Sequence, residues 1–261
     1  MSTDDTNNKT DLIIGRNAVA EALRARRAID SLLVARGEHD GTLGKIIADC
    51  KKRDIVVKDV SKKKLDFMCG HQNHQGVLAQ AAVREYSSLA HIFELAQARG
   101  QEPFLIICDG LEDPHNLGAV IRSAEAAGAH GVLIPKRRSA SLSYAVGKAS
   151  AGAVEYMPVA RVTNIALTID ELKSKGLWVY GADMGGQPWC SQDYTGPCAL
   201  VIGSEGRGLG RLVKEKCDFI VSLPMKGKLN SLNASVAAGV LMFEVAGQRA
   251  GLRPPCKPSG K

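Results

Sequence analysis

No stretch of this 261-residue chain is apolar for long enough to cross a bilayer; the longest, near Ala237–Phe243, falls far short. There is no C-x-x-C pair, and the seven cysteines, at 50, 69, 108, 190, 198, 217 and 256, are odd in number. That pattern offers neither a disulfide framework nor a zinc site. Cys108 and Cys198 fall within apolar strand-like runs, where a free thiol behaves as a small core residue. The opening MSTDDTNNKTD lacks the basic and apolar regions of a secretory signal. A reducing cytoplasm is the expected location, with no membrane and no metal as partner. Charge of one sign is not concentrated either. The net charge of +7 arises from 16 Lys/Arg against 13 Asp/Glu in residues 1–100 and 18 against 14 in residues 101–261. Such a moderate basic balance permits a polyanionic partner without requiring one.

What is present is an alternation of strand and helix patterns. Residues 1–10 are polar without an apolar period and read as a disordered tail. From Asp11 the runs LIIG, DSLLVAR, IVVKDV and GVLAQAAV read as strands, and AVAEALRAR, LGKIIADCKKR and SKKKLDFM as helices. They predict a small α/β domain over 11–83. Residues 84–102 read as a linker carrying a short helix capped by Ser88 and stopped at Gly100. The second domain is expected over 103–249, with strands at FLIICDG, HGVLIP, VEYMPVARV, LWVYGAD, CALVIG and DFIVSLP and a closing helix Ser231–Arg249. Strands alternating with helices imply a mostly parallel sheet covered on both faces. The Pro-rich, basic residues 250–261 read as a disordered tail.

Three segments of the second domain end an apolar strand in a polar loop and then start a helix. Loops at the carboxyl ends of strands are where open α/β sheets bind ligands. In Phe104–Ala129, Asn116 stands where a helix cap is expected, and Leu117, Val120, Ile121 and Ala124 form one helical face. Arg122 lies at the margin of that face, near the positive end of the helix dipole, where a cation is unfavourable. In Cys198–Leu212, GSEGRGLG has the wrong glycine order for a Rossmann fingerprint, no P-loop lysine and no nucleophile elbow. A glycine-rich loop holding one carboxylate, Glu205, remains. In Phe219–Val240, Pro224 and Gly227 break the strand, Ser231 is the expected helix cap, and Asn233 sits off the core face expected of Val236 and Val240. Each segment alone also reads as an ordinary cap or turn; together they suit a small polar cofactor and a phosphate-bearing substrate. His71 and His74 read as a polar turn, and Lys136–Arg138 is the basic cluster best placed against RNA.

DPHNLGAVIR, GSEGRG and PMKGKLNSLN resemble the three signature motifs of the SpoU (TrmH-like) 2′-O-ribose RNA methyltransferases. Within that family the chain is most similar to the bacterial RlmB-type 23S rRNA guanosine 2′-O-methyltransferases. Ala234 stands where valine is common, and no motif residue is missing. LIIGRNAVAEAL and NHQGVLA resemble the family's N-terminal RNA-binding domain. The resemblance implies an L30e/L7Ae-like α/β domain followed by a SPOUT-type α/β domain with a deep C-terminal trefoil knot. It implies S-adenosylmethionine held by Gly203, Leu223, Met225 and Leu232. It implies catalytic roles for Arg122, Asn116, Glu205, Ser231 and Asn233, a homodimer, and 23S rRNA or a pre-ribosomal particle as partner. A tRNA ribose is the alternative substrate; a nucleotide-dependent Rossmann enzyme and a non-catalytic RNA-binding protein are the alternatives outside the family.

Overall fold

The computed structural model describes residues 12–37 and 41–254. The tail expected at 1–10 and most of that expected at 250–261 lie outside the described residues. Among the described residues the chain forms two compact units. One runs to Glu85 and takes in Ser141–Tyr144; the other holds Tyr86–Ala140 and the chain from Ala145 onward.

The first unit is built from β1 (Leu12–Ile14), α1 (Arg16–Arg24), β2 (Ile29–Ala35), α2 (Gly41–Lys52), β3 (Val56–Val60), α3 (Lys62–Met68) and β4 (Val77–Ala81). Its sheet has the order β1-β4-β2-β3, with β2 parallel to β3 and antiparallel to β4. Because β2 is central, it is buried on both faces, so that Asp30 and Ser31 lie buried along with Ile29 and the apolar run Leu32–Val34. Val19, Leu23, Leu43 and Ile46 from α1 and α2 cover one face with Leu32 and Val34. Leu65 of α3 covers the other with Leu33 and Leu78. His74, expected in an open polar turn, is buried. Its Nε2 meets Asp66 Oδ1 at 3.0 Å and its Nδ1 accepts the Gly76 N–H at 2.9 Å.

The second unit comprises α4 (Leu89–Ala98), β5 (Phe104–Asp109), α5 (Pro114–Ala126), β6 (Gly131–Pro135), α6 (Tyr144–Ala149), β7 (Val159–Val162), α7 (Ile165–Ser174), β8 (Trp178–Pro188), β9 (Cys198–Gly203), α8 (Arg211–Lys216), β10 (Phe219–Ser222) and α9 (Ala234–Arg249). Its six strands are all parallel, in the order β10-β8-β9-β5-β6-β7. The segment 84–102 is more than a linker: Ile92 of α4 is fully buried in the core with Leu105, Leu133 and Leu172. VEYMPVARV is strand only from Val159, because Ala153–Met157 close their N–H groups on local turns. β8 runs past Asp183 to Pro188, with an irregularity opposite Ile220 and Val221.

The closing helix also differs from expectation. It begins at Ala234, and its buried face is Ala234, Ala238, Leu241, Met242 and Val245. Val236, Val240 and Phe243, the first two expected in the core, are exposed. Small and apolar residues occur all round this helix, so sequence periodicity leaves its orientation open.

Candidate active site

The site is assembled at the carboxyl ends of β5 and β9, which lie side by side with Asp109 paired to Gly203. Asp109 Oδ2 accepts the Gly210 N–H at 2.8 Å and so ties the far end of the β9 loop back to β5. Within that loop Ser204 and Gly208 exchange both backbone hydrogen bonds, at 2.9 and 3.1 Å, leaving Glu205, Gly206 and Arg207 as an exposed tip. Gly203 is required by close approach. A Cβ there would sit 2.3 Å from the Gly208 carbonyl carbon and 2.4 Å from its oxygen. Gly208 is needed for a left-handed backbone, with φ of 65°.

Helix α5 starts one turn earlier than the expected Asn116 cap. Asp113 is the cap, its Oδ1 accepting the His115 N–H at 3.1 Å, and Pro114 fills the first helical position, where no N–H is needed. Asn116 is thereby freed for another contact. Only 6% exposed, it donates from Nδ2 to Glu205 Oε1 at 3.1 Å. The α9 cap is Asn233 rather than the expected Ser231. Asn233 Oδ1 accepts the N–H groups of Ser235 and Val236 at 2.9 and 3.2 Å. Its Nδ2 donates to Asn116 Oδ1 at 2.8 Å and to Glu205 Oε1 at 2.6 Å. Three segments remote in sequence are thus joined by one amide–carboxylate–amide cluster, with the Asn233 amide orientation fixed by the backbone donors it caps.

Beside this cluster lies a cleft of about 280 Å³. Gly203, Leu223, Met225 and Leu232 all line it, as do Glu205 and Ser231. Arg122 stands elsewhere. It is exposed on α5, a turn and a half beyond Asn116, about 9 Å along the helix axis. It has no ion-pair partner among the described residues. Sequence reasoning passed over one lining residue, Asp183. Its carboxylate is held 2.8 Å from Lys214 Nζ and also accepts the Met184 N–H at 2.7 Å. The signal was available, since Asp183 closes the apolar run WVYGAD. Near the cleft the surface carries carboxylates from Asp183 and Glu205 against the guanidinium of Arg207, over apolar walls from Leu223, Leu232 and Leu241.

Comparison with known proteins gives a consistent outcome. The profile of the SpoU rRNA Methylase family matches residues 103–243, and one described as RNA 2′-O ribose methyltransferase substrate binding matches residues 12–87. The chain is 51% identical over 240 residues to "Putative TrmH family tRNA/rRNA methyltransferase YacO" of Bacillus subtilis (strain 168), covering 92% of this chain and 96% of that protein. It is 45% identical over 243 residues to a "Putative TrmH family tRNA/rRNA methyltransferase" of Staphylococcus aureus (strain MSSA476), covering 91% and 96%. An AdoMet-bound rRNA methyltransferase from Sinorhizobium meliloti superposes with a TM-score of 0.57 at 26% identity, over 97% of this chain and 92% of that one. The SpoU methyltransferase AviRb from Streptomyces viridochromogenes, in complex with AdoMet, shares the fold with a TM-score of 0.58 at 23% identity, over 96% and 95%.

Proposed function

Because the chain belongs to the SpoU rRNA methylase family, we propose that it methylates the ribose 2′-hydroxyl of a guanosine in 23S ribosomal RNA. It is an RNA methyltransferase that uses S-adenosylmethionine. The observation that carries the reading is the Asn116–Glu205–Asn233 cluster standing beside a cleft lined by the loops that follow β9 and β10. The residues present fit the cofactor. The Glu205 carboxylate at the cleft suits a cation, and Leu223, Met225, Leu232 and Leu241 suit its apolar surface. Gly203, Leu223 and Leu232 would hold it through backbone groups. When bound, S-adenosylmethionine supplies an electrophilic sulfonium methyl.

The chain's own task is to present a poor acid, the ribose hydroxyl, in line and with its developing charge stabilised. A guanidinium is a donor and not a base in proteins, so Arg122 serves as an anchor for the neighbouring phosphate and a stabiliser of alkoxide charge. Glu205, Ser231 and Asn233 orient the hydroxyl and the loops, and Asn116 fixes the first loop to the second. The exposed apolar face of α9, Val236, Val240 and Phe243, is where a second copy would pack. α9 itself packs on α5, which carries Arg122, so this homodimer would set the arginine beside the interface.

A trefoil knot in the second unit is supported by the path after β10. From that edge strand the chain returns past β8 to reach Glu205 beyond β9, and α9 then packs on α5 and β9. An L30e-like first unit that grips the RNA is supported by its four-stranded sheet with helices on both faces. A cytoplasmic setting accords with the buried thiols Cys50, Cys108 and Cys198. Among the described residues no helix is long and apolar enough to cross a membrane. Methyl transfer from labelled cofactor to unmodified 23S rRNA and to bulk tRNA, in separate reactions, tests the proposal. Label as 2′-O-methylguanosine in 23S rRNA alone is the expected result, and label in tRNA alone would overturn the choice of substrate.

A further inference from the structure

Helix α3 of the first unit carries an uncovered aromatic ring. Phe67 is 83% exposed, although Leu65 and Cys69 on either side of it are buried. On a helix the residues three and four positions back share a face, so Lys64 and Lys63 flank the ring. With Lys62 they fill the first turn, at the positive end of the helix dipole, where cations weaken a helix. Nothing local compensates them. None of the three lysines has an ion-pair partner among the described residues, and the helix's one carboxylate, Asp66, is turned to His74. The mounting is rigid. Ser61 caps the helix through the Lys64 N–H at 3.3 Å, and the Cys69 thiol meets the Gln72 carbonyl at 3.2 Å in the turn that follows. Arg16 binds the end of that turn, with Nε on the Gln75 carbonyl at 3.0 Å and its own N–H on Gln75 Oε1 at 3.0 Å.

We propose that Phe67 is a stacking platform for an unpaired base of the RNA, with Lys63 and Lys64 neutralising the phosphates on either side of that base. The inference rests on the reading of this chain as an RNA methyltransferase and adds a named subsite to it. Unpaired bases offer a π-face to an aromatic ring regardless of sequence, whereas a duplex keeps its bases stacked on each other. A phenylalanine has only two side-chain torsions to immobilise, so a ring already held by a packed helix loses little freedom on binding. Cations beside the ring supply the attraction for the backbone, and that attraction falls with salt. A protein partner would be expected to meet a wider apolar patch than one ring among lysines.

The test uses the full chain with a fluorescein-labelled single-stranded RNA oligonucleotide and an RNA duplex of equal length as anisotropy probes, and calorimetric titration with S-adenosylmethionine. F67A should weaken single-strand binding roughly tenfold, leave duplex binding and cofactor affinity unchanged, and be rescued by F67W. K63A together with K64A should lower the slope of log affinity against log salt for the single strand. Equal single-strand affinity for F67A and wild type would overturn the proposal while leaving the methyltransferase reading intact. So would an F67A change in sedimentation with RNA binding untouched, since the ring would then be a protein contact. A wild-type chain that binds neither RNA and transfers no methyl group would overturn both.

Discussion

Replacing Asn233 with aspartate separates the two tasks of this side chain. Its Oδ1 caps α9 through the Ser235 and Val236 N–H groups, and its Nδ2 bridges Asn116 and Glu205. Aspartate keeps the cap, removes both donors and sets a second carboxylate against Glu205. A cap contributes about 1 kcal/mol, and each bridging hydrogen bond about 1 kcal/mol. N233A therefore loses all three, about 3 kcal/mol, whereas N233D keeps the cap and loses about 2 kcal/mol with like-charge repulsion added. Two kcal/mol is roughly thirtyfold in the equilibrium that orders the Glu205 loop. Two carboxylates in contact share a proton, which raises the apparent pKa of the pair. Binding that proton restores a donor, so the ordered loop of N233D takes up more protons than the open loop and its ordering strengthens as pH falls. Calorimetric titration with S-adenosylmethionine between about pH 8 and about pH 5.5 reads this out. Wild type should stay nearly flat, N233A should bind weakly throughout, and N233D should bind weakly at neutral pH and recover toward acid. An N233D that matches wild type at neutral pH, or that follows N233A at every pH, would refute the bridging role.

Gly203→Ala should abolish measurable cofactor binding in the same titration, because its Cβ meets the Gly208 backbone at 2.3 Å and the loop must open to admit it. For Arg122, alanine should lower kcat by a factor on the order of 100 with cofactor affinity unchanged. Arg122→Lys should recover little of this in single-turnover methyl transfer; near-full activity would overturn bidentate phosphate anchoring. Val240→Glu, on the exposed face of α9, should shift the sedimentation coefficient of a dimer toward that of a monomer. His130 gives a pH dependence of stability. Burial, with Arg99 and Arg249 nearby, pushes its pKa down to about 4, below the ordinary 6.5. The unfolded chain therefore binds the proton first, and the stability is complete above pH 6.5 and is lost as pH falls toward 4. The loss approaches about 3 kcal/mol, and urea midpoints across that window should decline less in His130→Gln than in wild type.

Local sequence determined the strands and most helices of both units, because β-branched runs and capped apolar periods were strong enough to decide them alone. β5 reads as a continuous apolar run from Phe104 to Cys108 since both faces of a central strand are buried, whereas β2 interrupts its own with Asp30 and Ser31. The three loops could be singled out because their glycines, asparagines and the carboxylate stand at strand ends, and the family resemblance rests on those same residues. Tertiary structure decided which polar group meets which. Asn116 and Asn233 lie 117 residues apart, and only the adjacency of β5 and β9 and the return of the chain from β10 bring them to one carboxylate. Where Pro114 moved the start of α5, a residue read as a cap became a bridge, and where Asn233 took the cap, Ser231 was left lining the cleft. The orientation of α9 was likewise a tertiary decision: its apolar residues surround the helix, and packing on α5 and β9 chose the buried side. A linear pattern fixes what a segment is when its own periodicity outweighs the alternatives; which surfaces and side chains it meets depends on contacts that close only when distant segments fold together.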